Sequence, residues 1–263
     1  MHGAFHSIAS SPIITRFIRA LAIAERQLVG SRRDTSSCAL QPDALGVWCH
    51  RCGETLNWAR GGSGHDDDER VACEITHGCV RCAGKRIERD CTLRVGRYES
   101  ELRCAILDVK HGTDRALARR LGRILGQQWI RRVLHASLAV DRAAIIPIPM
   151  PLARRVERGI DHTYEIAKGV SLETGIAVSR CLIHDAGPIQ AMLSKSNRQL
   201  RCERIHCKRR MGVVSSCSHL LLVDDVLTTG STLLEACSAL RRVLPGASLN
   251  ALVVAVSDRR KNA

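Results

Sequence analysis

The sequence is poor in aromatic residues, with three Trp, two Tyr and two Phe in 263 positions. A platform that stacks the bases of single-stranded nucleic acid needs several aromatic faces, so this composition argues against one. Long apolar runs are also missing. No stretch approaches the roughly 20 uninterrupted apolar residues of a membrane helix. The apolar stretch from Ile13 to Leu28 is broken by Arg16, Arg19, Glu25 and Arg26 and lacks a small-residue cleavage site, so it does not read as a secretory leader.

What is abundant is positive charge and cysteine. A formal charge of +14 and a pI near 9.6 favour an anionic partner: a phosphorylated small molecule, nucleic acid or a membrane surface. Hydrophobic residues make up 45% of the chain, enough for a buried core. Thirteen cysteines is a high and odd count. Without a leader to an oxidising compartment they read as reduced thiols in a cytoplasmic protein, some of them metal ligands.

Two Cys-x-x-Cys turns stand out, Cys49 with Cys52 and Cys79 with Cys82, each followed closely by glycine. Two thiolates three positions apart can grip one metal from a tight turn, and a second such turn completes a tetrahedral zinc site. A closed site of this kind is structural. The alternative is a set of small core cysteines. Cys73, His77 and Cys91 lie nearby as substitute ligands. The acidic, glycine-containing stretch from Arg60 to Arg70 between the turns reads as a solvated loop.

Beyond residue 95 the texture becomes that of an α/β domain. Residues 12–29 read as a short amphipathic helix and Ser31 to Pro42 as a linker, whereas helices are expected over Thr113–Trp129, Asp161–Glu173 and Ser231–Leu244. Strands are expected over Ala143–Ile148, Ile176–Ile183, His219–Asp225 and Leu249–Val256. Strands alternating with helices imply a mainly parallel, doubly wound sheet.

The most restrictive segment runs from Leu220 to Thr232: four apolar residues, Asp224 and Asp225, two apolar residues, then Thr228-Thr229-Gly230-Ser231-Thr232. Open α/β sheets bind ligands beyond the carboxyl ends of their strands, where this loop falls. Gly230 allows close backbone approach to an anion, the hydroxyls add donors, and the following helix start favours a phosphate. Adjacent acids beside such a cradle make sense if they face sugar hydroxyls or a magnesium ion. The alternative is a buried strand followed by an ordinary capped helix. The segment is neither a Walker loop nor a dinucleotide-fold glycine motif.

This segment resembles the phosphoribosyl-pyrophosphate (PRPP) signature of type I phosphoribosyltransferases. From about Cys49 onward the chain resembles the ComF/GntX family, the competence protein F group. That narrower resemblance draws on the cysteine knuckles and on Tyr98 to His111. It also draws on Ile146-Pro147-Ile148-Pro149 followed by Arg158-Gly159, and on Gln190, Leu193, Ser194 and Arg198. It implies an N-terminal extension over 1–44, a zinc-ribbon module over 45–95 and a phosphoribosyltransferase-like domain over 96–263. It further implies that Asp224 and Asp225 hold the ribose hydroxyls and act in catalysis, with Thr228, Thr229, Gly230, Ser231 and Thr232 on the 5′-phosphate. Arg158 would approach the pyrophosphate, magnesium would accompany PRPP, and Cys49, Cys52, Cys79 and Cys82 would hold structural zinc. The family's Arg-Gly-Phe-Asn-Gln stands here as Arg158-Gly159-Ile160-Asp161-His162, and its Asn-x-x-Gly-Ala-Phe is replaced by basic residues around Arg201 to Arg210.

Two functions follow from the resemblance. One is transfer of phosphoribose from PRPP to an acceptor with release of pyrophosphate. The other is a non-catalytic PRPP-binding factor in DNA uptake, engaging single-stranded DNA or proteins of the competence machinery. The basic run from Lys195 to Arg210 reads as a solvated face, a loop closing over pyrophosphate, or a surface for a phosphate backbone. His111, His162 and His184 show no partner pattern and read as structural.

Overall fold

The centre of the computed structural model is a four-stranded, wholly parallel sheet in the order β1-β6-β5-β2. Its strands are β1 (Cys91–Arg97), β2 (Ala143–Pro147), β5 (His219–Leu227) and β6 (Ser248–Val256). The structure describes residues 40–56, 78–80, 82–136, 142–185 and 204–257. The expected helix over 12–29, most of the 31–42 linker, the 60–70 loop, Cys73, His77 and the Gln190-to-Arg201 stretch lie outside these residues.

Strands β2, β5 and β6 are largely apolar runs because both faces of a parallel sheet are covered, whereas the edge strand β1 also carries Thr92 and Arg94. Helices α1 (Ser100–Gly112), α2 (Arg115–His135) and α4 (His162–Thr174) cover one face, over a core of Leu93, Val95, Leu121, Ile145, Ile166, Leu221 and Val223. Between β2 and α4 lies a short helix, α3 (Leu152–Arg158). Helix α5 (Ser231–Val243) and an antiparallel pair, β3 (Leu182–His184) with β4 (Ile205–Cys207), cover the other face. The sheet is therefore doubly wound, as the alternation of strands and helices implied.

Helix boundaries follow local chemistry. Asp114 caps α2 by accepting from the Leu117 amide at 2.9 Å, and Asp161 caps α4 by accepting from Tyr164 at 3.1 Å. Helix α2 continues to His135, past the expected end at Trp129. It lies unusually close to α4. A Cβ on Gly122 would stand 2.0 Å from the Ile166 carbonyl, so the two backbones touch where side chains would normally separate them.

One expected strand is corrected. Ile176–Ile183 is not a single strand. Only Ala177 to Ser179 touches β2, through Ile145, whose amide donates to Ala177 and whose carbonyl accepts from Ser179. Arg180 then turns to Asp161 at 2.8 Å, while Cys181 and Leu182 cross into the second core. The charge at 180 cannot continue a buried ladder, so the strand ends there.

The first cysteine turn is docked on β1. Thr92 donates its amide to the His50 carbonyl at 2.5 Å and its hydroxyl to Arg51 at 2.9 Å, and Trp48 donates to the Thr92 carbonyl at 3.0 Å. Arg94, fully buried in β1, is neutralised by Asp43 at 2.7 Å and donates to the Gly53 carbonyl at 2.8 Å. Gly53 sits with φ +84, and a Cβ there would meet Thr92 at 2.8 Å. No helix among the described residues is long and apolar enough to cross a membrane.

Candidate functional site

The two adjacent acids at the end of β5 face different surroundings. Asp225 is buried, and its Oδ2 accepts from His162 Nε2 at 2.7 Å and from Lys110 Nζ at 3.0 Å. Its Oδ1 accepts from the Val226 amide at 2.5 Å. Burial alone would raise this carboxyl, but the His162 hydrogen bond and the charges of His162 and Lys110 outweigh it and hold the group down at about 2.

Asp224 is half-buried and accepts the Asp225 amide on Oδ1 at 2.9 Å. Among the described residues no cation lies within ion-pair distance of it. Burial and the neighbouring Asp225 charge push it up to about 8. The pair thus consists of one closed, ionised acid and one open acid short of a partner.

Arg158, at the end of α3, joins this group through His162. Its Nη1 stands 3.4 Å from both ring nitrogens, so the guanidinium is not aimed at one nitrogen alone. Helix α4 starts at His162 and its contact with α2 fixes that start beneath β5. Neither His162 nor Lys110 was marked by its sequence neighbourhood as a partner of the acids.

Beyond Leu227 the chain makes the loop from Thr228 to Gly230 and enters α5. Thr228, Thr229, Ser231 and Thr232 are exposed, and Gly230 is in the left-handed region at φ +78. The first turn of α5 has no side-chain cap. Its first amide, Ser231 N, makes one long bond to Thr229 Oγ1 at 3.4 Å, and the amides that follow are open to an anion in front of the helix, the arrangement that binds phosphate. Thr229 and Ser231 hydroxyls lie 3.1 Å apart and can converge on such a group.

The four knuckle cysteines meet as one cluster, with all four sulfurs within 4.8 Å of one another. Cys49 to Cys82 is 3.8 Å, Cys52 to Cys79 is 3.7 Å and Cys79 to Cys82 is 3.9 Å. Thiolates about 2.3 Å from a tetrahedral ion stand about 3.8 Å apart, so the cluster fits a metal such as zinc. The Cys79 amide donates to Cys49 Sγ at 3.3 Å, satisfying one sulfur from the opposite turn. Hydrogen bonding among the thiols, led by Cys49, together with burial pushes Cys52 and Cys79 far above the ordinary thiol range. Cys82, despite its bond to Cys49, is instead held down at about 7 by its bonds from Cys52 and Cys79, and four clustered thiols ionise together only around a compensating cation. Cys91 is not in this cluster; it is buried in the core beneath α2.

No family model matches the sequence, and no curated protein matches it. Among solved structures, the chain is similar to one described as the allosteric regulatory enzyme of purine biosynthesis. It is also similar to the glutamine PRPP amidotransferase from B. subtilis complexed with ADP and GMP. Each is 16% identical with a TM-score of 0.36, over 56% of this chain and 30% of the other. The chain thus matches under a third of the length of those structures, and its site is read from its own residues.

Proposed function

We propose that this protein binds PRPP at the end of β5 and transfers its phosphoribosyl group to an acceptor with release of pyrophosphate. Thr228 to Thr232 would receive the 5′-phosphate, Asp224 the ribose hydroxyls, and Arg158 would approach the pyrophosphate. Asp225 is a positioning residue: fixed by His162 and Lys110, it orients Asp224 through its own amide.

The observation that carries this reading is the unmatched Asp224. A half-buried carboxyl raised to about 8 at a strand end, beside uncapped helix amides, is costly without a polyol or cation to answer it. The ribose diol of PRPP, with magnesium, supplies that answer. Magnesium bound with PRPP would neutralise charge gathering on the leaving pyrophosphate. In the transfer the bond from the anomeric carbon to pyrophosphate breaks and one to the acceptor forms. Zinc on Cys49, Cys52, Cys79 and Cys82 would be structural, since four thiolates leave no open position.

A second reading is binding without turnover. It is favoured by Asp225, whose two oxygens are already engaged, leaving a single open acid. The ComF resemblance would place such a sensor in DNA uptake, with single-stranded DNA or a protein partner. Incubation with PRPP, magnesium and a panel of nucleobases, followed by pyrophosphate assay, separates the two. Magnesium-dependent release supports transfer. No release with any acceptor, while PRPP still raises the melting temperature, favours the sensor.

A further inference from the structure

Two arginines are buried beside the cysteine module, and their circumstances differ. Arg94 is paired with Asp43. Arg89 is 8% exposed, yet among the described residues it has no carboxylate partner. Its Nε donates to Thr92 Oγ1 at 2.6 Å and its Nη2 to the Cys52 carbonyl at 3.2 Å. Its Nη1 points toward the phosphate loop, standing 4.0 Å from where a Cβ on Gly230 would be. Arg89 has the cysteine cluster as its negative neighbour on one side, but it makes no charge-assisted hydrogen bond to a carboxylate, and its Nη1 side faces helix amides that have no anion.

Between the two lies a cavity of about 290 Å³. One wall is Thr228, Thr229, Gly230 and Ser231. The opposite wall comes from the cysteine module, with Lys85, Arg86 and Arg89 against one carboxylate, Glu54. Arg86 is already paired with Glu88 at 2.5 Å, which leaves Lys85 at the rim and Arg89 in the depth.

We propose that the cysteine module supplies Arg89 to the phosphate loop, so that a phosphomonoester is held between the α5 amides and this guanidinium. The inference rests on the phosphate-loop reading and deepens it. Charge-assisted hydrogen bonding to a phosphate is the use for which a planar guanidinium is suited. Through its bond to the Cys52 carbonyl, Arg89 also ties the metal knuckle to the ligand, so the module is part of the binding site as well as a staple.

The test is calorimetric titration of the full chain with ribose 5-phosphate, which carries the phosphomonoester but no pyrophosphate. Arg89→Gln should weaken binding about tenfold to a hundredfold while zinc content stays unchanged. Arg89→Lys keeps the charge and the aliphatic stem but loses the fork, and should fall between. If Arg89→Gln fails to fold, Arg89→Lys decides the matter. Affinity for ribose 5-phosphate within twofold of the unmodified protein in the folded variant overturns the role of Arg89 and leaves the loop reading standing. Failure of the unmodified protein to bind either ribose 5-phosphate or PRPP overturns the loop reading itself, and this inference with it.

Discussion

His162 Nε2 and Asp225 Oδ2 lie 2.7 Å apart, joining the first turn of α4 to the end of β5. Lys110 reaches the same oxygen from α1 at 3.0 Å. One buried carboxylate therefore fastens two helices to the strand that carries the candidate site. Removing one partner leaves charge behind, so His162→Ala should cost about 1–3 kcal/mol, with Lys110 limiting the loss. In urea unfolding, the double change with Asp225→Asn should cost less than the two single changes added together. Strict additivity would show that the contact carries no coupling.

The second prediction concerns pH and Asp224. Its folded pKa, about 8, is above the ordinary carboxyl value, so its stability contribution is present at low pH. That contribution is lost as pH rises from about 4 through about 8. Asp224→Asn should therefore be the more stable form at pH 8.5 and should flatten the fall in melting temperature between pH 5 and 8.5. Each kcal/mol corresponds to about 2–4 °C in a domain of this size. Parallel pH profiles for the two proteins would remove the argument that Asp224 lacks a partner.

The third prediction is metal content. Protein purified without chelator should carry one zinc per chain, and Cys49→Ser or Cys82→Ser should release it. Because the first knuckle is docked on β1 through Thr92 and Arg94, release should lower the melting temperature of the sheet as well as the module. Metal analysis finding no zinc in the fresh protein would contradict the site.

A fourth prediction tests how α4 is placed. A side chain at Gly169 would meet the Arg119 carbonyl at 2.1 Å, forcing α2 and α4 apart. Gly169→Ala should destabilise by about 1–3 kcal/mol and weaken PRPP binding through displaced His162. Unchanged stability would mean that the helices can separate without cost.

The parts of the site that could be read from sequence are those encoded locally. The apolar run from Leu220 to Val223, its two acids and the hydroxyl-rich loop form one continuous pattern, and so do the paired cysteine turns. The starts of α2 and α4 were legible to within a residue or two because Asp114 and Asp161 cap them, whereas α1 and α3, whose first turns have no side-chain cap, were not foreseen. What escaped depends on distant contact. His162 and Lys110 meet Asp225 only after α1 and α4 pack on one face of the sheet, and a lone histidine or lysine gives no sign of that. Arg89 lay in a polar stretch where an arginine is normally solvated; its burial follows from the docking of the cysteine module. The Ile176–Ile183 segment misled because its apolar residues serve two cores in turn.

The most direct test of the central claim is titration of PRPP with magnesium into the unmodified protein and into Gly230→Val. Gly230 is at φ +78 at the head of α5, where a branched side chain is strained and intrudes on the space before the amides. The account predicts magnesium-dependent, one-to-one binding by the unmodified protein and its loss in the variant, with the variant still folded by circular dichroism. No binding by the unmodified protein, or equal binding by both, would contradict it.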